Sequence, residues 1–330
     1  MSKKIALLSL GGTISMTEAS TGGVVPTLSG EALLKRFAIQ DSSLEIVAIS
    51  FRQLASAQLS PSDLIDAAVK LYELAAAGIS GVVISQGTDT IEETAFALDL
   101  LGPKGLPIVV TGAMRHPDAP GADGAANLRD AIMMAAQQSA AGIGATVVMD
   151  GEIHAARFVT KGNTATVRAF HSTPIGQLGW IKEGSVDLIV TGLTPPLPDI
   201  PLPEKALPPV AILKAALGDD GRLAAKLIDL GYAGAIVEGM GGGHIHPVMA
   251  ERLAEIASRI PVIVSTRVVG SHVLRKTYGF VGSEIDLSRR GLLLGGWLTT
   301  GKLHFLLTCL LANGSDQTGI RGALAAFGGC

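Results

Sequence analysis

Two hydrophobic patterns alternate along this chain. Short apolar runs rich in β-branched residues predict strands at 5–10, 45–50, 81–85 and 108–111, and again at 210–213, 233–237 and 262–265. Between them, segments with apolar residues every three or four positions predict helices at 30–37, 61–77, 90–101, 127–140, 223–230 and 249–260. In the segment 61–77, Leu64, Ala68, Leu71, Leu74 and Ala75 line one face. Thr90 followed by Glu93 has the spacing of a capping box. Residues 291–312, apolar but carrying Lys302 and His304, read as a buried helix rather than a membrane span. Strands that are apolar throughout and separated by helices predict parallel sheets covered on both faces.

A proline cluster interrupts this alternation. Pro195, Pro196, Pro198, Pro201, Pro203, Pro208 and Pro209 fall together, and proline removes backbone donors and fixes φ. The stretch predicts a stiff connector over 195–209 between two α/β domains. The larger, 1–194, is expected to hold a mostly parallel sheet covered by helices; the smaller, 210–330, is also α/β.

Composition removes several functional classes. Net charge is −3 with 26 Lys and Arg against 29 Asp and Glu, and no basic stripe is visible, which argues against nucleic-acid binding. Two cysteines, Cys309 and Cys330, cannot build a disulfide framework, and Cys309 reads as core packing. The opening lysines precede an apolar run of only residues 5–10, shorter than a secretory core, so a cytoplasmic location is expected, with no membrane partner. Glycine is abundant, 41 of 330 without a collagen period, which points to tight turns and close backbone approaches.

Ligands of open α/β sheets sit beyond the carboxyl ends of strands. There the chain places Gly11-Gly12-Thr13-Ile14-Ser15, Gln86-Gly87-Thr88-Asp89-Thr90 and Gly112-Ala113-Met114-Arg115. Small residues beside hydroxyls, with one carboxylate and a helix start, suit a small polar ligand that carries a carboxylate. Taken singly, each threonine also reads as an ordinary turn cap, and Asp89 as a turn residue. A nucleotide site is the weaker alternative: the first loop lacks the G-x-G-x-x-G spacing, and no P-loop or G-x-S-x-G elbow occurs.

The first two of these loops resemble the two signature motifs of the bacterial-type L-asparaginases, homotetrameric amidohydrolases. Gly112-Ala113-Met114-Arg115, the stretch from Ala122-Asp123 to Asn127-Leu128, and Lys161 within Val159-Thr160-Lys161-Gly162-Asn163-Thr164 fit the same family. The resemblance implies L-asparaginase activity, with a glutaminase-asparaginase as the nearest alternative. It implies a nucleophile at Thr13 and a second essential threonine at Thr88, with Asp89 and Lys161 beside it. Ser56 would hold the substrate α-carboxylate, Asp89 the α-ammonium, and the Ala113 carbonyl the amide NH2. Gly87 would line the site. No cofactor or metal is implied, and active sites would lie at subunit interfaces of a dimer of dimers.

The chemistry is consistent with those roles. Amide hydrolysis needs a nucleophile, a base and donors for the oxyanion. A desolvated lysine can lose its proton and serve as base. The attack would give an acyl-threonine ester and ammonia, and water would then release the acid.

This chain departs from the family pattern in three places. The lid 16–26 has no tyrosine, and Tyr72, Tyr232 and Tyr278 are remote in sequence, so either Glu18, Ser20 or Thr21 assists Thr13 or the Thr88–Lys161 pair carries more of the chemistry. Ala57 follows Ser56 where many members have glutamine. The glycine loop 239–244 ends in His244 where an asparagine is usual, and Glu284 is the candidate for the family's inter-subunit glutamate. A different class remains open: a binding module or sensor for aspartate or a nucleotide, with degenerate catalysis. His244 and His246 could also be read as a metal pair, but no third ligand is apparent. His154 and His171 need no functional reading. Arg267 and Arg275 read as solvated surface or an inter-subunit contact.

Overall fold

The computed structural model describes residues 3–18, 22–39, 43–193 and 196–329. Two compact units emerge, Met1–Thr194 and Pro195–Cys330. The first contains strands β1 (Lys3–Gly11), β2 (Met16–Glu18), β3 (Val24–Pro26), β4 (Leu44–Leu54), β5 (Gly81–Ser85), β6 (Ile108–Thr111), β7 (Thr146–Met149), β8 (Glu152–Ala155), β9 (Thr160–Lys161), β10 (Phe170–His171), β11 (Gly179–Lys182) and β12 (Ser185–Leu188). Its helices are α1 (Gly30–Arg36), α2 (Pro61–Ala76), α3 (Ile91–Leu101) and α4 (Gly124–Ala135).

Eight of these strands form one sheet in the order β12-β11-β8-β7-β6-β5-β1-β4. From β4 to β7 the neighbours are parallel. The central strands β5 and β6 are wholly buried, as unbroken apolar runs require, whereas β4 at the edge alternates in exposure. Helix α2 begins with Pro61 and a capping box of Ser60 with Asp63, and lays Leu64, Ala68, Leu71 and Leu74 inward.

The far side of the sheet is antiparallel: β7 to β8, β8 to β11 and β11 to β12. None of these strands was predicted. The cue lies in two dipeptides. Asp150-Gly151 and Glu183-Gly184 each join neighbouring strands with both residues at positive φ, the mirror-image turn that matches strand twist.

Three predicted helices are corrected. Residues 127–140 form α4 only from Gly124 to Ala135, followed by a short 3-10 turn, Gln138–Gly142. The start lies earlier, with Asp123 at the N-cap position and its carboxylate accepting the amides of Met114 and Arg115 rather than capping the helix. Residues 223–230 yield a single 3-10 turn, Ala224–Lys226; Ala224 and Leu227 reach the core but Leu223 and Leu230 are exposed, so the apolar face is one turn long. The segment 291–312 splits into a two-residue strand and a helix, with Gly296 at φ 67° between them. The capping box at Thr90 also fails. Its hydroxyl donates to the Ser56 carbonyl (3.2 Å) and accepts from Gln86 (3.3 Å), so it does not cap α3.

The second unit holds four parallel strands, β13 (Val210–Lys214), β14 (Gly234–Gly239), β15 (Val262–Thr266) and β16 (Leu293–Leu294), adjacent in that order. Helices α5 (Pro247–Ala257), α6 (Glu284–Arg289), α7 (Thr300–Ala312) and α8 (Gln317–Ala325) complete it. Residues 196–209 form neither helix nor strand. Cys309 is fully buried on α7, and burial pushes its thiol up to about 12. Among the described residues no helix is long and apolar enough to cross a membrane.

Candidate active site

Parallel pairing of β1 with β5 sets Ser9 opposite Ser85, so the loops after these strands emerge side by side. Glycine then lets them touch. At Gly12, φ is 82°, and a Cβ there would lie 1.8 Å from the Gly87 nitrogen. Only a residue without a side chain permits this approach. The turn is pinned by Ser15, whose amide and hydroxyl both donate to the Gly12 carbonyl (2.9 and 2.8 Å). Thr13, half-buried, opens a 3-10 turn immediately after this contact, and Thr88 opens another immediately after Gly87.

Lys161 reaches the second loop from β9. Its Nζ donates to Thr88 Oγ1 (2.8 Å) and to Asp89 Oδ1 (2.7 Å). The Asp89 side chain is 68% exposed, so the ion pair is worth at most about 1 kcal/mol. Its consequence is geometric: the carboxylate fixes the amine against the threonine hydroxyl. Ser56, buried, accepts from the Asp89 amide (3.3 Å), which brings a third loop to the same place.

The loop after β6 closes another side. Asn127 on α4 donates to the Gly112 carbonyl and to Asp123 (both 3.0 Å), while the Asp123 carboxylate accepts the amides of Met114 and Arg115. Ala113, fully buried, is thereby held between two fixed peptides. A cleft of about 420 Å³ opens beside the cluster, lined by Asp89, Glu92, Lys161, Gly162, Asn163 and Thr164. The structure therefore gathers Gly87, Thr88, Asp89, Lys161 and Ser56 in direct contact, with Thr13 one residue beyond the Gly12–Gly87 contact. Ser20 and Thr21 lie outside the described residues, as does the side chain of Glu18.

In the second unit, the loop after β14 returns His244 to Met240 through a backbone bridge. His244 Nε2 stands 3.3 Å from Glu284 Oε2 at the start of α6. Glu284 is fully buried, and its Oε1 accepts the amides of Thr277 and Tyr278 (both 2.6 Å). Burial pushes this carboxyl upward, but the two amides and His244 outweigh it and hold the group below its ordinary range. Tyr278 and Phe280 pack edge-on against the imidazole. His246 occupies the N-cap position of α5 without a side-chain cap, and among the described residues no three His, Cys, Asp or Glu could hold a metal ion.

Comparison with known proteins agrees with this architecture. The family profile described as "Asparaginase, N-terminal" matches residues 4–191, and that described as "Glutaminase/Asparaginase C-terminal domain" matches residues 209–324. An L-asparaginase of Bacillus licheniformis is 30% identical, the match covering 95% of this chain and 97% of that one. A probable L-asparaginase of Deinococcus radiodurans is 34% identical over 96% of both chains. The crystal structure of a probable cytoplasmic L-asparaginase from Campylobacter jejuni superposes with a TM-score of 0.85 at 30% identity, covering 98% of this chain and all of that one. Sheets, loops and matches together define an amidohydrolase built from two α/β units. The chain belongs to the asparaginase family.

Proposed function

We propose that this protein hydrolyses L-asparagine to L-aspartate and ammonia, with Thr13 as nucleophile. The observation that carries the reading is the twofold contact of Lys161 with Thr88 and Asp89, set beside the Gly12–Gly87 junction. In its neutral form, Lys161 takes the proton released as Thr13 Oγ1 attacks the side-chain amide carbon, with the Thr88 hydroxyl as relay. Collapse of the tetrahedral intermediate breaks the C–N bond, and the same proton leaves with ammonia. Water then attacks the Thr13 ester, aspartate departs, and the hydroxyl is restored. Ser56 receives the α-carboxylate with Gly87 lining the site, Asp89 receives the α-ammonium, and the Ala113 carbonyl the amide NH2. The cycle is written without cofactor or metal.

Residues 1–194 act as the catalytic domain, 195–209 as the connector and 210–330 as the second asparaginase domain. The protein works in the cytoplasm as a homotetramer, a dimer of dimers, in which His244 and Glu284 of one copy complete the site of another. His244 in place of an asparagine, and Ala57 in place of a glutamine, favour a second reading of broader amide specificity that includes glutamine.

Ammonia release by the purified protein with L-asparagine, L-glutamine and their D-isomers tests the proposal. Release from L-asparagine is expected, and the kcat/KM ratio of the two L-amides separates the two readings. Silence with all four, together with ligand-induced thermal stabilisation, would leave a binding protein instead.

A further inference from the structure

The hairpin that carries Lys161 is too small to hold itself. Strands β9 and β10 pair over two residues each, Lys161 with Phe170 and Thr160 with His171, joined by one further bond from the Gly162 amide to the Ala169 carbonyl (2.7 Å). An isolated two-stranded ladder of any length is marginal in water. Yet Lys161 is set to within hydrogen-bond distance of both Thr88 and Asp89.

Support comes from β8, which is paired on both edges, to β7 and to β11. Glu152 and His154, two apart on β8, project from the same face. Glu152 Oε1 takes the guanidinium of Arg168, two residues before β10. His154 Nδ1 meets Ser172 Oγ at 3.0 Å, one residue after β10. Both ends of the strand that backs Lys161 are thus tied to the main sheet by side chains.

His154 and Ser172 are 2% and 3% exposed, and Glu152 is buried with them. His154 Nε2 faces Glu152 Oε2 at 3.5 Å, too long for a strong bond. Burial, with His171 and Arg168 adding positive charge nearby, lowers the imidazole to about 4, and the Glu152 charge is already matched by Arg168. At neutral pH the ring is therefore uncharged. Its Nδ1 stays within hydrogen-bond distance of the Ser172 hydroxyl, the donor of that pair being set by the ring's tautomer.

We propose that Glu152, His154, Arg168 and Ser172 form a clamp of positioning residues that holds Lys161 in register with Thr88. The inference rests on the reading of Lys161 as the base, but the clamp has a readout of its own. Acetic anhydride labelling of Lys161, followed by peptide mass spectrometry, reports how firmly the amine is held. In Ser172→Ala the labelling of Lys161 is expected to accelerate several-fold while that of Lys104 stays unchanged. Activity should fall about tenfold in kcat, with KM moving less than twofold. Arg168→Ala, which alters an exposed side chain and so folds, should do the same more weakly, about two- to threefold. Unchanged Lys161 labelling in both variants would overturn the clamp. So would a loss of kcat matched by an equal rise in KM and a general rise in lysine labelling. Retained activity in Lys161→Met would instead overturn the underlying reading of the base, whatever the labelling shows.

Discussion

In the first unit, Gly12 lets the loop after β1 lie directly on the loop after β5, so glycine joins two different strand tips. In the second unit, Gly239 at the end of β14 lets a single loop fold back on itself, with a Cβ there only 2.6 Å from the carbonyl carbon of Gly243. The polar groups differ accordingly. Around Thr88 they are brought from separate loops and strands, and one of them, Asp89, stays open to solvent. Around Glu284 the carboxylate is buried, with Oε1 accepting two backbone amides close to it in sequence and Oε2 facing His244. The contrast teaches that joining strand tips gathers polar side chains from distant parts of the chain, whereas folding one loop back brings together only backbone a few residues apart.

The sharpest way to break the comparison is to remove the groups proposed to react. Thr88→Ala and Lys161→Met should each lower kcat at least ~10³-fold, about 4 kcal/mol of barrier, with an unchanged circular dichroism spectrum. If Thr88→Ala kept its turnover, the cluster would not be the reactive one.

Next in size is a pH effect buried beneath the first site. His154 titrates near 4 in the fold and at its ordinary 6.5 when unfolded, so between these values the unfolded chain binds the extra proton. Stability therefore drops as pH falls through that window, by up to about 3 kcal/mol at its acid end. Urea midpoints at pH 7 and pH 4 measure the loss, which should shrink in His154→Leu.

Gly12→Ala and Gly239→Ala compare the two junctions directly. Each adds a methyl where backbone already sits, costing about 2 kcal/mol of stability. Gly12→Ala should also separate the two threonine loops and lower kcat, whereas Gly239→Ala disturbs the loop of His244, which under the proposed function lies at a partner's site, and should act mainly on KM. Equal kinetic effects from both would erase the distinction between the junctions.

The smallest effect concerns Glu284. Its carboxyl lies below the ordinary range in the fold, so it stabilises the protein above its unfolded value of 4.5, and that contribution disappears as pH falls through the lower folded value. Melting curves of Glu284→Gln should show a shallower acid decline than those of the parent chain.

Much of the fold is legible where apolar runs are unbroken: β5 and β6 match their predicted bounds, and α2 ends one residue from its own. The antiparallel strands β8, β11 and β12 escape because their runs are short and mixed with charge, as in Glu152–Ala155; their signal sits in the Asp150-Gly151 and Glu183-Gly184 turns. The candidate threonines are legible because each follows a strand directly. The helix expected at 223–230 shows the reverse failure, a helical spacing of which only Ala224 and Leu227 are buried while Leu223 and Leu230 stay exposed.

Local chemistry alone determined the apolar central strands, the glycine turns and the residue types waiting at the strand tips, because each depends on a few neighbouring side chains. Which tips would touch was decided by the order of strands in the sheet, which places β1 beside β5 although 76 residues separate Ser9 from its partner Ser85. The same holds for Lys161, which meets Thr88 across 73 positions of sequence. No local pattern encodes such a meeting; it exists only once the sheet has paired and the short hairpin beneath it has been fastened.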